Sequence, residues 1–174
     1  MRALEKSESE RALQRAEHFR GQSGYAINYR DLPIFAAAGL PELAAERLAD
    51  VHPKSDASVL ELGAGAGAMS LRLKDRGYTI TASDLNEGSF VPAGEIPFVA
   101  LNLNEAFAQR LRGRFDAIVA LELVEHLENP CHFFRQCREA LENKGFLLVS
   151  MPNLANPVSQ AMFATRGNFQ WFNK

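Results

Sequence analysis

At 174 residues the chain has the length of one domain with a single sizeable core. Its composition, 47% hydrophobic and 23% charged with 12 Gly and 8 Pro, argues against a collagen-like, coiled-coil or wholly disordered chain. Nineteen basic against 21 acidic side chains leave a net charge of −2, so there is no whole-domain basic field for a polyanion and nucleic acid is not an expected partner.

Residues 1–20 mix Arg, Glu and Gln with Leu4, Leu13, Ala16 and Phe19, the pattern of a peripheral, mostly exposed helix. They lack the uninterrupted apolar run of a secretion signal. Nowhere does the chain reach the roughly 18 charge-free apolar residues of a membrane span, and a cytoplasmic protein is expected. Gly21 to Asn28 reads as loop. A second helix begins at Gly39-Leu40-Pro41, with Pro in the first turn where its missing N–H is harmless. Leu40, Leu43, Ala44, Leu48 and Val51 recur along it at helical spacing and give it one apolar face.

After the breaker His52-Pro53-Lys54-Ser55-Asp56, short apolar runs alternate with helical segments. The spacing predicts a strand over Ser58 to Leu62, a helix over Ala68 to Arg76 closed by Gly77, and a strand over Tyr78 to Ser83. Ile96 to Leu101 reads as a third strand, near an edge because of Pro97. A short helix over Asn104 to Leu111 and a fourth strand over Phe115 to Leu121 follow. Pro130 to Glu142 is a predicted helix with Phe133, Phe134, Cys137 and Leu141 on one face; Asn143-Lys144-Gly145 ends it before a fifth strand, Phe146 to Ser150. The only cysteines, Cys131 and Cys137, lie six positions apart on that helix, fit neither a disulfide framework nor a metal knuckle, and are expected as reduced thiols. Strands apolar on both faces and separated by helices indicate an α/β fold with a parallel sheet covered on both sides.

The most informative stretch is Glu61-Leu62-Gly63-Ala64-Gly65-Ala66-Gly67, a strand running into a glycine-rich loop and then a helix. Glycines serve where backbone turns tightly and approaches a ligand without a Cβ in the way. The same loop matches the dinucleotide pattern GxGxxA, and a tight strand-to-helix turn without a ligand is also compatible with it. Two features lead away from a dehydrogenase. Glu61 puts a carboxylate where a dinucleotide-binding strand would continue apolar, and the fourth strand runs into Glu122-Leu123-Val124-Glu125-His126, a cluster of acids and a histidine at the opening of the same cleft.

From Val59 to Asn153 the chain resembles the class I S-adenosylmethionine-dependent methyltransferases. The residues that carry the resemblance are the E-x-G-x-G-x-G loop, Asp84 after the second strand, Asn102 after the third, the FDAIVALELVEHLENP segment and LLVSMPN at the fifth strand. It implies a Rossmann-like three-layer α/β/α domain with strand order 3-2-1-4-5 over residues 57–153, preceded by a helical cap or acceptor-side region over 1–56 and followed by a segment over 154–174.

The resemblance also implies ligand roles. Gly63 and Gly65, with Ala64 between them and Gly67 after them, would fold against the methionine and ribose part of S-adenosylmethionine. Glu61 would fix this loop and the methionine ammonium. Asp84 would accept hydrogen bonds from both ribose hydroxyls, a task that suits a two-oxygen acceptor; its simpler reading is a turn Asp. Leu85 would pack on the adenine ring. Asn102 stands where Asp is usual; its amide oxygen would accept from the adenine amino group while the Leu103 N–H donates to the ring, or it is an ordinary loop Asn. Ala120 and Leu121 would offer backbone groups near the methionine.

Three roles compete for Glu122, Glu125 and His126: acid/base residues facing the acceptor, a metal site as in some methyltransferases with this spacing, or carboxylates placed at a helix start by its dipole. No metal is expected, since a further His ligand is needed and His132 is expected to point outward. The acceptor side is least legible. It would draw on Tyr25, Tyr29 and Arg30 and on the tail, where Phe163, Phe169, Trp171 and Phe172 form a lid or cover the core, with core cover the expectation. A small molecule, quinone, lipid or glycan intermediate is the expected acceptor. The family's last two, antiparallel strands have no counterpart before Lys174, so a fragment of a longer protein is expected, with an apolar fifth strand as its edge. A dehydrogenase lacks room for a substrate domain. A non-catalytic S-adenosylmethionine-binding or scaffold protein is the remaining alternative.

Overall fold

A computed structural model of the chain describes residues 27–53 and 56–169; the expected N-terminal helix, Tyr25, Trp171 and Phe172 lie outside them. The sequence alternation becomes a five-stranded parallel sheet. Its strands are β3 (Ser58–Leu62), β4 (Thr79–Asp84), β5 (Phe98–Ala100), β6 (Phe115–Leu121) and β7 (Leu141–Ser150), in the spatial order β5-β4-β3-β6-β7. This is the order 3-2-1-4-5. Before it come a two-stranded hairpin, β1 (Asn28–Tyr29) and β2 (Leu32–Pro33), and helix α1 (Leu40–Val51); α2 (Ala68–Asp75), α3 (Pro130–Ala140) and α4 (Pro157–Arg166) complete the set.

Period-two alternation along the central strands divides the core. Val59, Ile80, Ala82, Ala117 and Val119 face α1, α2 and the hairpin. Leu60, Leu62, Ile118 and Ala120 face Phe107, Phe133 and Cys137 on the other side. Burial pushes the Cys137 thiol up to about 12, so it is a core group, while Cys131 is exposed.

Several boundaries differ from expectation. The hairpin occupies a stretch read as loop at its start, because its turn is Arg30-Asp31, both at positive φ (48° and 64°); this is the left-handed pair a two-residue hairpin requires, made without glycine. Asn104 to Leu111 forms only a single 3-10 turn, Ala108–Arg110. α3 stops at Ala140 and Leu141 already belongs to β7. Asn143-Lys144-Gly145 therefore lies inside an irregular strand start, where the register shifts between Phe115 and Ala117. Gly145 is required there by close approach: a Cβ would stand 3.0 Å from the carbonyl oxygens of Phe115 and Asp116. Phe134 is 42% exposed and not part of the buried face of α3.

The tail is a helix, α4, capped by the Asn156 side chain accepting from the Ser159 N–H at 2.9 Å. Of the aromatics expected to cover the core, Phe163 and Phe169 lie among the described residues. Phe163 is 51% exposed and stacks on Phe169, with ring centroids 4.5 Å apart. Among the described strands β7 is an edge, and its residues from Gly145 to Ser150 are half-buried. No helix of the described residues is long and apolar enough to cross a membrane.

Candidate functional site

The carboxyl ends of β3, β4, β5 and β6 meet at one edge of the sheet. β3 leaves it through three glycines, all left-handed: Gly63 at φ 76°, Gly65 at 52° and Gly67 at 92°. The Ser83 carbonyl accepts from the N–H groups of both Gly63 (2.8 Å) and Ala64 (3.0 Å), which fastens the loop to the end of β4. Gly67 has a packing role, since a Cβ on it would lie 2.6 Å from Pro92. Gly63 is exposed at the mouth, whereas Ala64 is buried.

Asp84 ends β4, and both its oxygens serve the backbone: Oδ2 accepts from the Gly65 N–H at 2.8 Å and Oδ1 from the Leu85 N–H at 2.7 Å. Each carboxylate oxygen keeps a second lone pair for a further donor. Leu85 beside it is 73% exposed, an apolar side chain presented to the mouth.

Behind the loop, Glu61 is buried and accepts a short hydrogen bond from the Ser70 hydroxyl of α2. Burial pushes its pKa up to about 8; Ser70 works against that rise and the negative charge of Asp84 adds to it. Among the described residues Glu61 has no ion-pair partner. A carboxylate so placed favours a cationic group brought by a ligand.

After β5, Asn102 closes a local turn. Its Oδ1 accepts from the Asn104 N–H at 3.1 Å and its Nδ2 donates to Glu105 Oε1 at 2.8 Å, the geometry of an ordinary loop Asn. His132 does not simply point outward: its Nε2 lies 2.9 Å from the Glu105 carbonyl oxygen, which makes the ring nitrogen the donor and ties α3 to this turn. The Leu103 side chain is buried in the lower core.

β6 ends in an unusual residue, because Glu122 has φ 49°. A non-glycine residue in that region costs about 1–2 kcal/mol. Its N–H donates to the carbonyl (3.2 Å) and hydroxyl (2.9 Å) oxygens of Ser150 at the end of β7, and its Oε2 accepts from the Ala37 N–H at 2.9 Å. Burial raises its pKa; the Ala37 N–H opposes the rise, Glu125 adds to it and His126 lowers it. Glu125 is half-buried with Oε2 unpartnered, and His126 is exposed. The three groups therefore share one field at the mouth. Among the described residues no group of three His, Cys, Asp or Glu side chains is arranged to hold a metal ion. Asp116, in the same sequence segment, lies at the opposite end of β6, where Ser58 N–H and Oγ donate to it at 2.9 and 2.8 Å and hold its carboxyl below the usual range.

The geometry of a glycine loop, an acid after the next strand and an acidic cluster after the fourth has a counterpart among known proteins. A family model described as a methyltransferase domain matches residues 34–171. The chain belongs to this family. The methyltransferase domain is 30% identical over 117 residues to a ubiquinone biosynthesis O-methyltransferase of Dechloromonas aromatica, a match covering 63% of this chain and 49% of that one. It spans 40 to 50% of the length of such curated relatives. Among solved structures it is similar to 1,6-didemethyltoxoflavin-N1-methyltransferase of Burkholderia thailandensis, crystallised with 1,6-didemethyltoxoflavin and S-adenosylhomocysteine. That likeness has 26% identity and a TM-score of 0.50, over 62% of this chain and 50% of that one. A SAM-dependent methyltransferase from Archaeoglobus fulgidus shares the fold at 22% identity and a TM-score of 0.56, over 76% and 62% of the two chains.

Within this methyltransferase domain Tyr29 and Arg30, expected on the acceptor side, are both engaged with α2. The Tyr29 hydroxyl donates to Asp75 Oδ2 at 2.7 Å, its ring lies under the Arg72 guanidinium at 4.4 Å, and Arg30 pairs with Asp75 at 2.8 Å. They dock the hairpin on α2. The sequence reading missed Ser70, Phe35, Ala37 and Ser150. Ser70 carried a signal, being a lone hydroxyl among Ala68, Met69 and Leu71. Nothing in the sequence marks the Ala37 N–H.

Proposed function

We propose that this methyltransferase domain binds S-adenosylmethionine at the carboxyl ends of β3, β4 and β6 and methylates an oxygen of a small, quinone-type acceptor. The observation that carries the reading is the left-handed glycine loop joined through Gly65 N–H to Asp84, with buried Glu61 behind it, bonded to Ser70 and without an ion-pair partner among the described residues. When bound, S-adenosylmethionine supplies a methyl group already activated on a sulfonium, so positioning dominates what the protein contributes. Glu61 would receive the ammonium and ionise there, Asp84 would accept from the ribose hydroxyls with its remaining lone pairs, and Leu85 would lie against the adenine. His126, exposed at the mouth, would take the proton from an acceptor hydroxyl.

The acceptor class is supported by relatives named ubiquinone biosynthesis O-methyltransferase. Calorimetry with S-adenosylhomocysteine and with NADH tests the cofactor half; affinity for NADH alone would refute it. Transfer of labelled methyl from S-adenosylmethionine to a panel of phenols, amines and lipids tests the acceptor half. The expected product is an O-methyl ether of a phenol or quinol.

A further inference from the structure

Between the hairpin and α1 the chain crosses the mouth of the site as a short segment without regular secondary structure, Ile34 to Ala38. It is anchored at both ends: the buried Ile34 donates its N–H to the Ile27 carbonyl at 2.9 Å, and the Ala37 carbonyl accepts from Leu40 N–H at 3.0 Å where α1 begins. Ala36 packs partly against the core, while Phe35, Ala37 and Ala38 are exposed. Phe35 is 55% exposed, yet its ring rests on the glycine loop, so close that a Cβ on Gly65 would stand 3.1 Å from it. Where the segment leaves the core, the Glu122 carboxylate holds it through the Ala37 N–H.

Phe35 belongs to neither core cluster, so the core gives no packing reason for its ring to sit on a glycine. Nor has a glutamate a conformational reason to occupy φ 49° at the end of a strand. The two facts explain each other if the left-handed backbone of Glu122, fixed by Ser150, turns its carboxylate to hold the segment that carries Phe35. We propose that Ile34–Ala38 is a strap over the glycine loop and that Glu122 is the positioning residue that latches it, so that Phe35 retards escape of the ligand bound at that loop. This rests on the reading of the loop as the S-adenosylmethionine site. Glu122 is thereby assigned to the strap, leaving acid/base work to His126.

The test uses four variants of the chain and S-adenosylhomocysteine as the probe. Amide exchange without ligand should quicken at Ala37 in Glu122→Ala by on the order of tenfold, as expected for loss of a hydrogen bond to a charged acceptor. Glu122→Gln, which keeps an acceptor oxygen, should largely restore protection. Glu122→Gly relieves the left-handed strain, so it should melt no lower than the parent and still lose the latch; it separates latching from folding. In stopped-flow chase experiments, Phe35→Ala and Glu122→Gly should both release S-adenosylhomocysteine several-fold faster. Unchanged release from both variants, with the parent binding normally, would overturn the strap alone. Unchanged Ala37 exchange in Glu122→Ala and Glu122→Gly would overturn the latch. A parent chain that does not bind S-adenosylhomocysteine at all would overturn the site reading and the strap with it.

Discussion

Two strands deliver backbone to the same mouth and leave the sheet by the same left-handed step, one with Gly63 at φ 76° and the other with Glu122 at φ 49°. After β3 the side chain is dispensed with, and the vacated space lets loop amides lie against a neighbour. After β6 a long carboxylate is retained in a conformation that glycine would adopt more easily. The difference separates two kinds of strand end: one shaped to admit a partner to its backbone, the other strained to present a side chain.

The sharpest way to break this contrast is to fill the loop. Gly67→Val should lower stability by about 3 kcal/mol, since it combines a forbidden φ with a Cβ driven into Pro92; chemical denaturation measures it, and a cost below about 1 kcal/mol would mean the loop yields. Next in size, Asp84→Ala should weaken S-adenosylhomocysteine binding by roughly 1.5–3 kcal/mol in calorimetry. It should also lower the melting temperature, because the Gly65 and Leu85 amides lose their acceptor.

Glu61→Gln sharpens the comparison through pH. The carboxyl of Glu61 is raised to about 8 in the fold, so the unfolded chain releases this proton first as pH rises. Its contribution to stability is present below the usual carboxylate range and is lost progressively up to about pH 8. Thermal melts of parent and variant should therefore diverge between those limits, the variant being the more stable at pH 8 and gaining little at pH 4. The same variant should bind S-adenosylhomocysteine more weakly.

Glu122→Gly should raise stability by about 1 kcal/mol, the reverse of what truncating a useful contact normally does. The smallest structural effect belongs to exposed His126. His126→Ala should change stability by less than about 0.5 kcal/mol while lowering kcat and leaving cofactor affinity unchanged; unaltered kcat across the pH range would leave catalysis to positioning.

What the sequence disclosed follows the same division. The glycine loop is legible because left-handed steps at Gly63, Gly65 and Gly67 demand a residue type, and Asp84 because its distance from the loop follows from one strand–helix–strand unit. The parallel sheet was legible in its apolar runs. The hairpin was not, because Arg30 and Asp31 fill its left-handed turn and no glycine announces it. Asn143-Lys144-Gly145 carried a turn signal, but Gly145 answers to crowding by two carbonyls inside a strand. Glu122 was picked out for its charge. Its backbone geometry, which decides what the charge does, depends on Ser150 and Ala37, far away in sequence.

The docking of the hairpin by Tyr29 and Arg30 has a mechanical consequence. Their anchor, Asp75, is the last residue of the helix whose first turn grows out of the glycine loop. Floor and roof of the mouth are thus bolted to opposite ends of one rod. A swing of the whole hairpin would have to drag that rod, and the floor with it, so the opening left between them would hardly change. With Ile34–Ala38 as the strap proposed above, admission of a ligand would fall to the few torsions from Phe35 to Gly39. The span to be rotated is short and light, and its motion belongs to the nanosecond-to-microsecond range of loops, well ahead of domain movements.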